Sequence, residues 1–258
     1  MQRKRTSGEE HALERIALIS DIHGNLPAFE ATLADIDRRS ITRVFCLGDL
    51  AGKGPHGDVV VDRCRVRCEG VIRGNWDDGL ATRTPTDLTL RWHQERLGSE
   101  RLAYLRTLPN TISVVLSGQR IRLLHASPQG VWTRVFQEDP DEKLQAMFAN
   151  TDFTGHEDTP DIVAYGDIHE AFVRTFERKT LLNVGSVGNP LDQPLACYAT
   201  LEGCSGLTAA PVAISFVRLP YDIERAIWEA EQEDMPELEP YATELRTAQF
   251  QRRLASQD

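Results

Sequence analysis

The chain has 258 residues, of which 41% are apolar, so it is long enough for one large α/β domain or two small ones with a substantial core. Its formal net charge is −10 at pH 7. A general nucleic-acid or anionic-membrane binder is usually basic, so this charge argues against both classes. It does not exclude a phosphate substrate, because bound metal ions can reverse the local field.

The cysteines and the N-terminal residues indicate a cytoplasmic protein. The five cysteines are an odd set without the spacing of a disulfide framework, which predicts reduced thiols. Residues 1–15 are polar and mixed in charge, so we expect a flexible lead-in rather than a signal peptide. The sequence has no apolar run near the ~20 residues that span a bilayer, which predicts no membrane association.

The first part of the chain alternates between short apolar runs and helical patterns. The run "IALI" at residues 16–19 predicts a buried strand, and "LPAFEATLADIDRRS" has apolar residues at helical spacing. Two more strands are predicted in "RVFCLGD" and "GVIRGNWDD", with a helix in "GDVVVDRCRVRC" between them. Strands that alternate with helices are typical of an α/β layered fold.

The rest of the chain is predicted to begin with a helical segment, residues 80–109, in two amphipathic pieces with Ser99 as a cap and Pro109 as the end. The stretch "ISVVLSGQRIRLLHASP" predicts a β-hairpin around Ser117 and Gly118, and "DPDEKLQAMFAN" predicts a helix. Further strands are predicted up to "AISFVRLPYD", and C-terminal helices over 222–258. No low-complexity linker divides the chain, so we expect one domain over residues 16–258.

Polar side chains follow five of the apolar runs. They are Asp21 and His23, Asp49, Asn75, His125, and Asp167 with His169. Taken singly, Asp21 could cap the following helix and His125 could be an ordinary buried histidine. Ligands in open α/β sheets bind beyond the carboxyl ends of the strands. The five strand ends together therefore predict one binding site.

The residue types predict the chemistry of this site. Carboxylates, imidazoles and one amide, without a thiolate, suit a divalent ion such as Mn²⁺, Fe²⁺, Zn²⁺ or Mg²⁺. Seven such side chains are too many for one ion, but they fit two ions that share a bridging carboxylate. A two-metal site is suited to the hydrolysis of phosphate esters.

The motifs "SDIHGN", "LGDL", "RGNWD", "LLHASP" and "GDIHEAF…NVGSVGNP" resemble those of the calcineurin-like metallophosphoesterase family, in the expected order and approximate spacing. The resemblance is closest to the small bacterial and archaeal phosphodiesterase-phosphatase branch and extends over residues 16–238. It implies a four-layer α/β/β/α sandwich, in which two mixed sheets pack face to face with helices outside and metals at the strand ends.

The resemblance also implies a role for each residue. The first metal would be bound by Asp21, His23 and His169, the second by Asn75 and His125, and Asp49 would bridge the two ions. Asn75 would also contact the phosphate. Arg73 precedes the Gly-Asn pair, where many relatives have an arginine that faces the substrate phosphate; the alternative is a surface ion pair.

Two residues depart from the family pattern. Asp167 stands where the family has the first histidine of Gly-His-x-His; it could bind a metal or be a turn residue only. Trp76 stands where many relatives have the histidine that protonates the leaving group, and an indole cannot act as a general acid. Trp76 could instead be a packed aromatic or a wall for an aromatic leaving group. His56 is a candidate substitute donor, whereas His93 and His156 are predicted to be surface residues.

The function that the resemblance implies is hydrolysis of phosphodiesters or small phosphomonoesters, by in-line attack of a metal-bound hydroxide. The cofactors would be two divalent ions, with Mn²⁺ favoured over Fe, Zn, Ni or Mg. One alternative is a weakened scaffold of this fold that binds partner proteins. Another is a hydrolase of small nucleotides such as dinucleoside polyphosphates. We expect a small phosphoester as the ligand and no long nucleic acid. The sequence does not decide between a monomer and an oligomer. Residues 80–109 and 226–239 are candidate substrate lids or subunit contacts.

Overall fold

The computed structural model describes residues 13–207 and 210–251. Its first part alternates strands and helices as predicted. The elements are β1 (Leu13–Ile19), α1 (Leu26–Arg38), β2 (Arg43–Cys46), α2 (Gly57–Arg67), β3 (Gly70–Val71), α3 (Asn75–Thr82) and α4 (Leu88–Thr107). Helix α1 begins where the Asn25 side chain accepts a hydrogen bond from the backbone N–H of Ala28 at 3.2 Å, with Pro27 in the first turn.

The second part begins with the predicted hairpin, which turns at Ser117 and Gly118. The elements are β4 (Thr111–Leu116), β5 (Gln119–Leu124), α5 (Asp141–Gln145), a 3₁₀ turn (Ala146–Phe148), β6 (Ile162–Tyr165), β7 (Phe172–Phe176), β8 (Lys179–Asn183), β9 (Ala196–Cys204), β10 (Ala213–Leu219), α6 (Ile223–Gln232) and α7 (Leu238–Thr247). The described residues after α7 are not helical, and the predicted helical residues 252–258 lie outside the described part of the chain.

The ten strands form two mixed sheets of five strands each. Their orders are β10-β9-β1-β2-β3 and β4-β5-β6-β8-β7. The strands β1, β2 and β3 are parallel to one another, as are β5, β6 and β8. The carboxyl ends of the parallel strands therefore point to one edge in each sheet, where α/β folds place their ligands.

The two sheets pack face to face, and helices cover their outer faces. Alternate residues of β1 show this arrangement, because Ile16 and Leu18 lie in the apolar cluster between the sheets. Ala17 and Ile19 belong to the cluster that includes residues of α1, α2 and α4. The outer face of the second sheet packs against α5 and the 3₁₀ turn. The predicted four-layer sandwich is confirmed.

The predicted boundary at the N-terminal end of the domain needs correction. The predicted lead-in, residues 1–15, overlaps β1, which begins at Leu13; residues 1–12 lie outside the described part of the chain. The polar residues Glu14 and Arg15 still pair with β9, and Arg15 forms an ion pair with Glu202 at 2.5 Å at this exposed end of the sheet.

Residues 83–87, which were predicted to be helical, separate α3 from α4. The reason is local, because the sequence there contains Pro85, and Asp87 caps α4 by accepting from the backbone N–H of Leu90 at 2.7 Å. Helix α4 consists of two pieces, as predicted, since Gly98 has non-helical angles with φ of 69°. In residues 13–207 and 210–251, no helix is long and apolar enough to cross a membrane.

Candidate metal centre

Six of the seven predicted ligand residues lie in loops that follow parallel strands, and five of these six have left-handed backbone angles. The seventh, Asn75, is the first residue of α3, which follows β3. The φ values lie between 51° and 69° for Asp21, His23, Asp49, Asp167 and His169. A non-glycine residue rarely adopts this conformation, and such backbone strain is concentrated at functional sites. The fold therefore holds these loops in conformations that local preference alone does not explain.

The first group of candidate ligands joins the two sheets. The Nε2 atoms of His23 and His169 are 3.1 Å apart, and His169 Nε2 lies 3.3 Å from Asp21 Oδ1. His23 Nε2 lies 3.9 Å from Asp21 Oδ1 and 3.5 Å from Asp49 Oδ2. The side chains of Asp21, His23 and Asp49 are at most 2% exposed. One ion could therefore bind Asp21, His23 and His169 together.

The second group lies on the other side of Asp49. His125 Nε2 lies 3.5 Å from Asp49 Oδ1 and 3.9 Å from Asp167 Oδ1. Asn75 donates its side-chain amide to Asp167 Oδ1 at 2.7 Å. The two carboxylate oxygens of Asp49 thus face His23 on one side and His125 on the other, which is the placement that a bridging ligand needs.

All three imidazoles present Nε2 to the cluster because their Nδ1 atoms face backbone carbonyls. The carbonyl partners are Leu47 at 2.7 Å for His125, Asn189 at 2.5 Å for His169 and Ala51 at 3.4 Å for His23. When Nδ1 donates to a carbonyl, Nε2 of a neutral imidazole carries a lone pair. Two such lone pairs facing each other at 3.1 Å repel, and a cation bound between them would remove this repulsion.

Buried polar atoms without hydrogen-bond partners support the same conclusion. Asp21 Oδ1, His125 Nε2 and Asp167 Oδ2 are buried and accept or donate no hydrogen bond within the described residues. A buried polar atom without a partner costs about 1–3 kcal/mol, so such atoms are rare unless an ion or water satisfies them. Carboxylate oxygens and imidazole nitrogens suit a divalent metal ion, and the residues present fit one.

The electrostatics of the cluster are strongly perturbed. Burial lowers the pKa of His23 well below its usual value, and the neighbouring His169 acts in the same direction. Burial alone would lower the pKa of His125, but the carboxylates of Asp49 and Asp21 raise it to about 9. Burial raises the pKa of Asp49 well above its usual range. The raised pKa values of Asp49 and His125 favour their protonated forms, and a divalent cation would compete with these protons on binding.

Asp77 holds the two loops of the second group together. Its buried carboxylate accepts from the backbone N–H groups of Asp49 at 2.8 Å, Leu50 at 3.0 Å and Gly74 at 2.9 Å. The approach is close at Gly74, where a Cβ would lie 2.1 Å from Asp49 Oδ1. Trp76, in the first turn of α3, donates its backbone N–H to Asp49 Oδ1 at 2.8 Å. Only glycine fits at position 74, because any side chain would displace the Asp49 carboxylate.

Arg73 and His56 lie apart from the ligand cluster. The Arg73 guanidinium donates to Asn110 Oδ1 at 2.6 Å and lies 3.8 Å from Asp78 Oδ1. His56 Nε2 lies 3.0 Å from Glu229 Oε2. Neither residue lines the cavity described below, so their catalytic roles stay predictions for which the contacts supply no support.

Several residues near the site were not identified from the sequence. Lys53 donates to Asn189 Oδ1 at 2.6 Å and to Glu244 Oε2 at 2.8 Å, and Arg134 Nε lies 3.5 Å from Asp167 Oδ1.

The prediction that His93 is a surface residue was wrong, since it is 3% exposed and packs edge-on against Trp76 with ring centres 6.1 Å apart. His156, by contrast, is exposed as predicted.

A cavity of about 630 Å³ opens onto the ligand cluster. Asp49, Asn75, Asp167 and His169 are among the residues that line it. Its other walls come from α3, α4, the loop after β5 and the C-terminal segment 236–251. This volume suits a small molecule, since ligand pockets measure ~300–1,000 Å³.

Comparisons with known proteins agree with this geometry. The chain matches the model of the calcineurin-like phosphoesterase superfamily domain over residues 15–206. It is 31% identical over 237 residues to an uncharacterized protein of Methanocaldococcus jannaschii, covering 86% of this chain and 94% of the relative.

Two crystal structures have the same fold. A metallophosphoesterase from Sphaerobacter thermophilus is 25% identical, with a TM-score of 0.71, and the match covers 91% of this chain and 99% of the other. A hypothetical protein from Pyrococcus horikoshii is 19% identical, with a TM-score of 0.72, and the match covers 90% and 97% of the two chains.

Proposed function

Because the chain belongs to the calcineurin-like phosphoesterase superfamily, we propose that it is a metal-dependent hydrolase of phosphodiesters or small phosphomonoesters. The observation that supports this most directly is the pair of candidate ligand groups on either side of Asp49, which lines a cavity of small-molecule size. We expect two divalent ions, with Mn²⁺ favoured over Fe, Zn, Ni or Mg, since the donors are carboxylates, imidazoles and an amide.

Each ligand group would hold one ion. Asp21, His23 and His169 form the first set, and His125, Asn75 and Asp167 form the second. Bound divalent ions would supply Lewis acidity and lower the pKa of water, so that it can attack phosphorus in line. Asp49 would fix the separation of the two ions, and the backbone contacts of Asp77 would fix Asp49.

The protein side chains that face the cavity would position the substrate. Arg134 and Lys53 line it, and cationic side chains of this kind stabilise the charge on phosphate oxygens. Trp76 lines it beside Asn75 and cannot protonate a leaving group. We therefore expect the enzyme to favour esters whose leaving group departs without a proton.

The test is a paired assay on protein that has been stripped of metal and reloaded with Mn²⁺. It measures ions bound per chain, and the rates on bis-p-nitrophenyl phosphate and p-nitrophenyl phosphate. We expect two ions and turnover in the wild type, loss of turnover in Asp49→Ala, and wild-type behaviour in Glu224→Gln, a surface control. Bound ions without turnover of either ester, or no bound ion, would overturn the proposal and favour the scaffold alternative.

A further inference from the structure

We propose that the cavity takes a phosphoester with a planar aromatic substituent, and that Trp132, Phe136 and Phe250 bind its ring. We call these three residues the aromatic rim. This inference rests on the proposed function, because it names the substrate class of the same site. It concerns the part of the substrate that lies beyond the phosphate.

The exposed aromatic residues are concentrated at this cavity. Within residues 13–207 and 210–251, the large hydrophobic side chains that are exposed include four aromatic residues. Trp132 is 50% exposed, Phe136 40% and Phe250 58%, and all three line the cavity. The fourth, Trp228, lies on α6 away from it. Exposed aromatic area that borders a catalytic cavity indicates a ligand surface rather than scattered surface residues.

Trp132 is held in place although half of its surface is accessible. Its indole N–H donates to Asp78 Oδ2 at 3.2 Å, and the Arg83 guanidinium lies 4.0 Å from its ring centre. The ring also packs on α3 at Gly79, where a Cβ would lie 3.5 Å from the indole. An aromatic side chain that is ordered before binding loses little entropy when a ring stacks on it.

Positive charges accompany the aromatic rim. Arg83 stacks on Trp132, and the Lys53 ammonium lies 5.8 Å from the ring centre of Phe250. Arg134 connects the rim to the ligand cluster, since its Nε lies 3.5 Å from Asp167 Oδ1. Aromatic rings next to cations fit a ligand that combines a planar ring with an anionic phosphate, as nucleotides and aryl phosphates do.

The experiment keeps the leaving group constant and varies the retained group. The substrates are p-nitrophenyl phosphodiesters that carry methyl, cyclohexylmethyl, benzyl or thymidine 5′ groups. We expect kcat/KM to be roughly tenfold higher for the benzyl and thymidine esters than for the cyclohexylmethyl ester. The cyclohexylmethyl group matches the benzyl group in size and has no π-system. Trp132→Ala and Phe250→Ala should remove this preference. Trp228→Ala, an exposed tryptophan outside the cavity, is the matched control.

A binding measurement separates this inference from the proposed function. Calorimetry on the wild type and Trp132→Ala compares thymidine 5′-monophosphate with ribose 5-phosphate. Tighter binding of the nucleotide, lost in the variant, supports the aromatic rim even if no ester is hydrolysed. Equal affinities of the two ligands overturn the inference. Hydrolysis of all four esters with equal kcat/KM overturns it too, and leaves the proposed function in place.

Discussion

The side-chain amide of Asn75 donates a hydrogen bond to Asp167 Oδ1 at 2.7 Å, and this contact connects the first residue of α3, which follows β3 in one sheet, to the loop after β6 in the other. The second oxygen of Asp167 is buried and has no hydrogen-bond partner in the described residues. The backbone N–H of Asp167 donates to Asp21 Oδ2 at 3.1 Å. These contacts support the proposal that Asp167 is a ligand of the second group, at the position where the resemblance implies a histidine.

Removal of the Asp167 carboxylate should weaken one metal site and leave the other. In Asp167→Ala we expect one ion to bind as in the wild type and the affinity for the second Mn²⁺ to fall at least tenfold, because the second group loses a charged donor. Asp167→His should retain two ions, since an imidazole is also a suitable ligand. Metal analysis and Mn²⁺ titration measure both. Two tightly bound ions in Asp167→Ala would show that Asp167 is only a turn residue.

Asp77 should matter for stability through the three backbone N–H groups that it accepts from. Asp77→Asn replaces one acceptor oxygen with a donor, so at least one buried N–H loses its partner. We expect a loss of about 2 kcal/mol in the free energy of unfolding, measured by urea denaturation. Asp78→Asn, at the next and more exposed position, should change it by about 0.5 kcal/mol or less. Equal effects of the two substitutions would contradict the role given to Asp77.

The fold and the ligand cluster could be predicted because they follow from local patterns. Each ligand residue directly follows an apolar run, and parallel strands bring their carboxyl ends to one edge. Helix ends were harder, since Pro85 and Asp87 end the helical pattern within an otherwise suitable sequence. His93 was misassigned because "RWHQERL" does not show which face of α4 is covered, and Trp76 of α3 covers it.

The long-range contacts could not be predicted from the sequence. Glu244 lies on α7, far along the chain from Lys53, and the two meet because α7 packs against the cavity. Phe250 and Trp132 also come from distant segments of the chain, and packing between elements brings both to the cavity. No local pattern marks such residues, because their roles depend on packing between elements rather than on the spacing within one.

Glu244 should act as a positioning residue for His169. Its carboxylate accepts from Lys53 at 2.8 Å and from the Asn189 side chain at 3.0 Å, and the backbone carbonyl of Asn189 faces His169 Nδ1. In Glu244→Ala we expect roughly tenfold weaker Mn²⁺ binding and lower kcat, with KM nearly unchanged. Glu244→Gln should restore part of both, because it keeps an acceptor oxygen. Glu239→Gln on the same helix is the control. Wild-type Mn²⁺ affinity in Glu244→Ala would refute the positioning role of Glu244.

The ion pair between Glu244 and Lys53 should make the stability of the protein depend on pH. Burial alone would raise the pKa of Glu244, but the Lys53 charge and hydrogen bond hold it below the usual value of 4.5. The stabilisation from this ion pair is therefore present above about pH 4.5 and is lost as the pH falls through the lowered pKa. The difference in unfolding free energy between the wild type and Glu244→Gln should shrink as the pH falls below 4.5. A constant difference from pH 7 to pH 3 would contradict this assignment.

A histidine at position 76 should extend the range of leaving groups. Trp76 lines the cavity beside Asn75, and its ring centre lies 6.0 Å from that of His23. Trp76→His would place a proton donor near the leaving group, which general acids exploit for a gain of ~10²–10⁴-fold. We expect at least a tenfold gain on phenyl and alkyl esters and little change on p-nitrophenyl esters, whose leaving group needs no proton.

The measurement is the slope of log kcat against the pKa of the leaving group, which should be shallower in Trp76→His than in the wild type. Trp76→Phe is the control, because it also shortens the side chain and supplies no proton. The gain should disappear above about pH 7, since only the protonated imidazole, with its pKa near 6.5, can donate. If Trp76→Phe gains as much as Trp76→His, the effect is one of space rather than proton transfer, and position 76 does not face the leaving group.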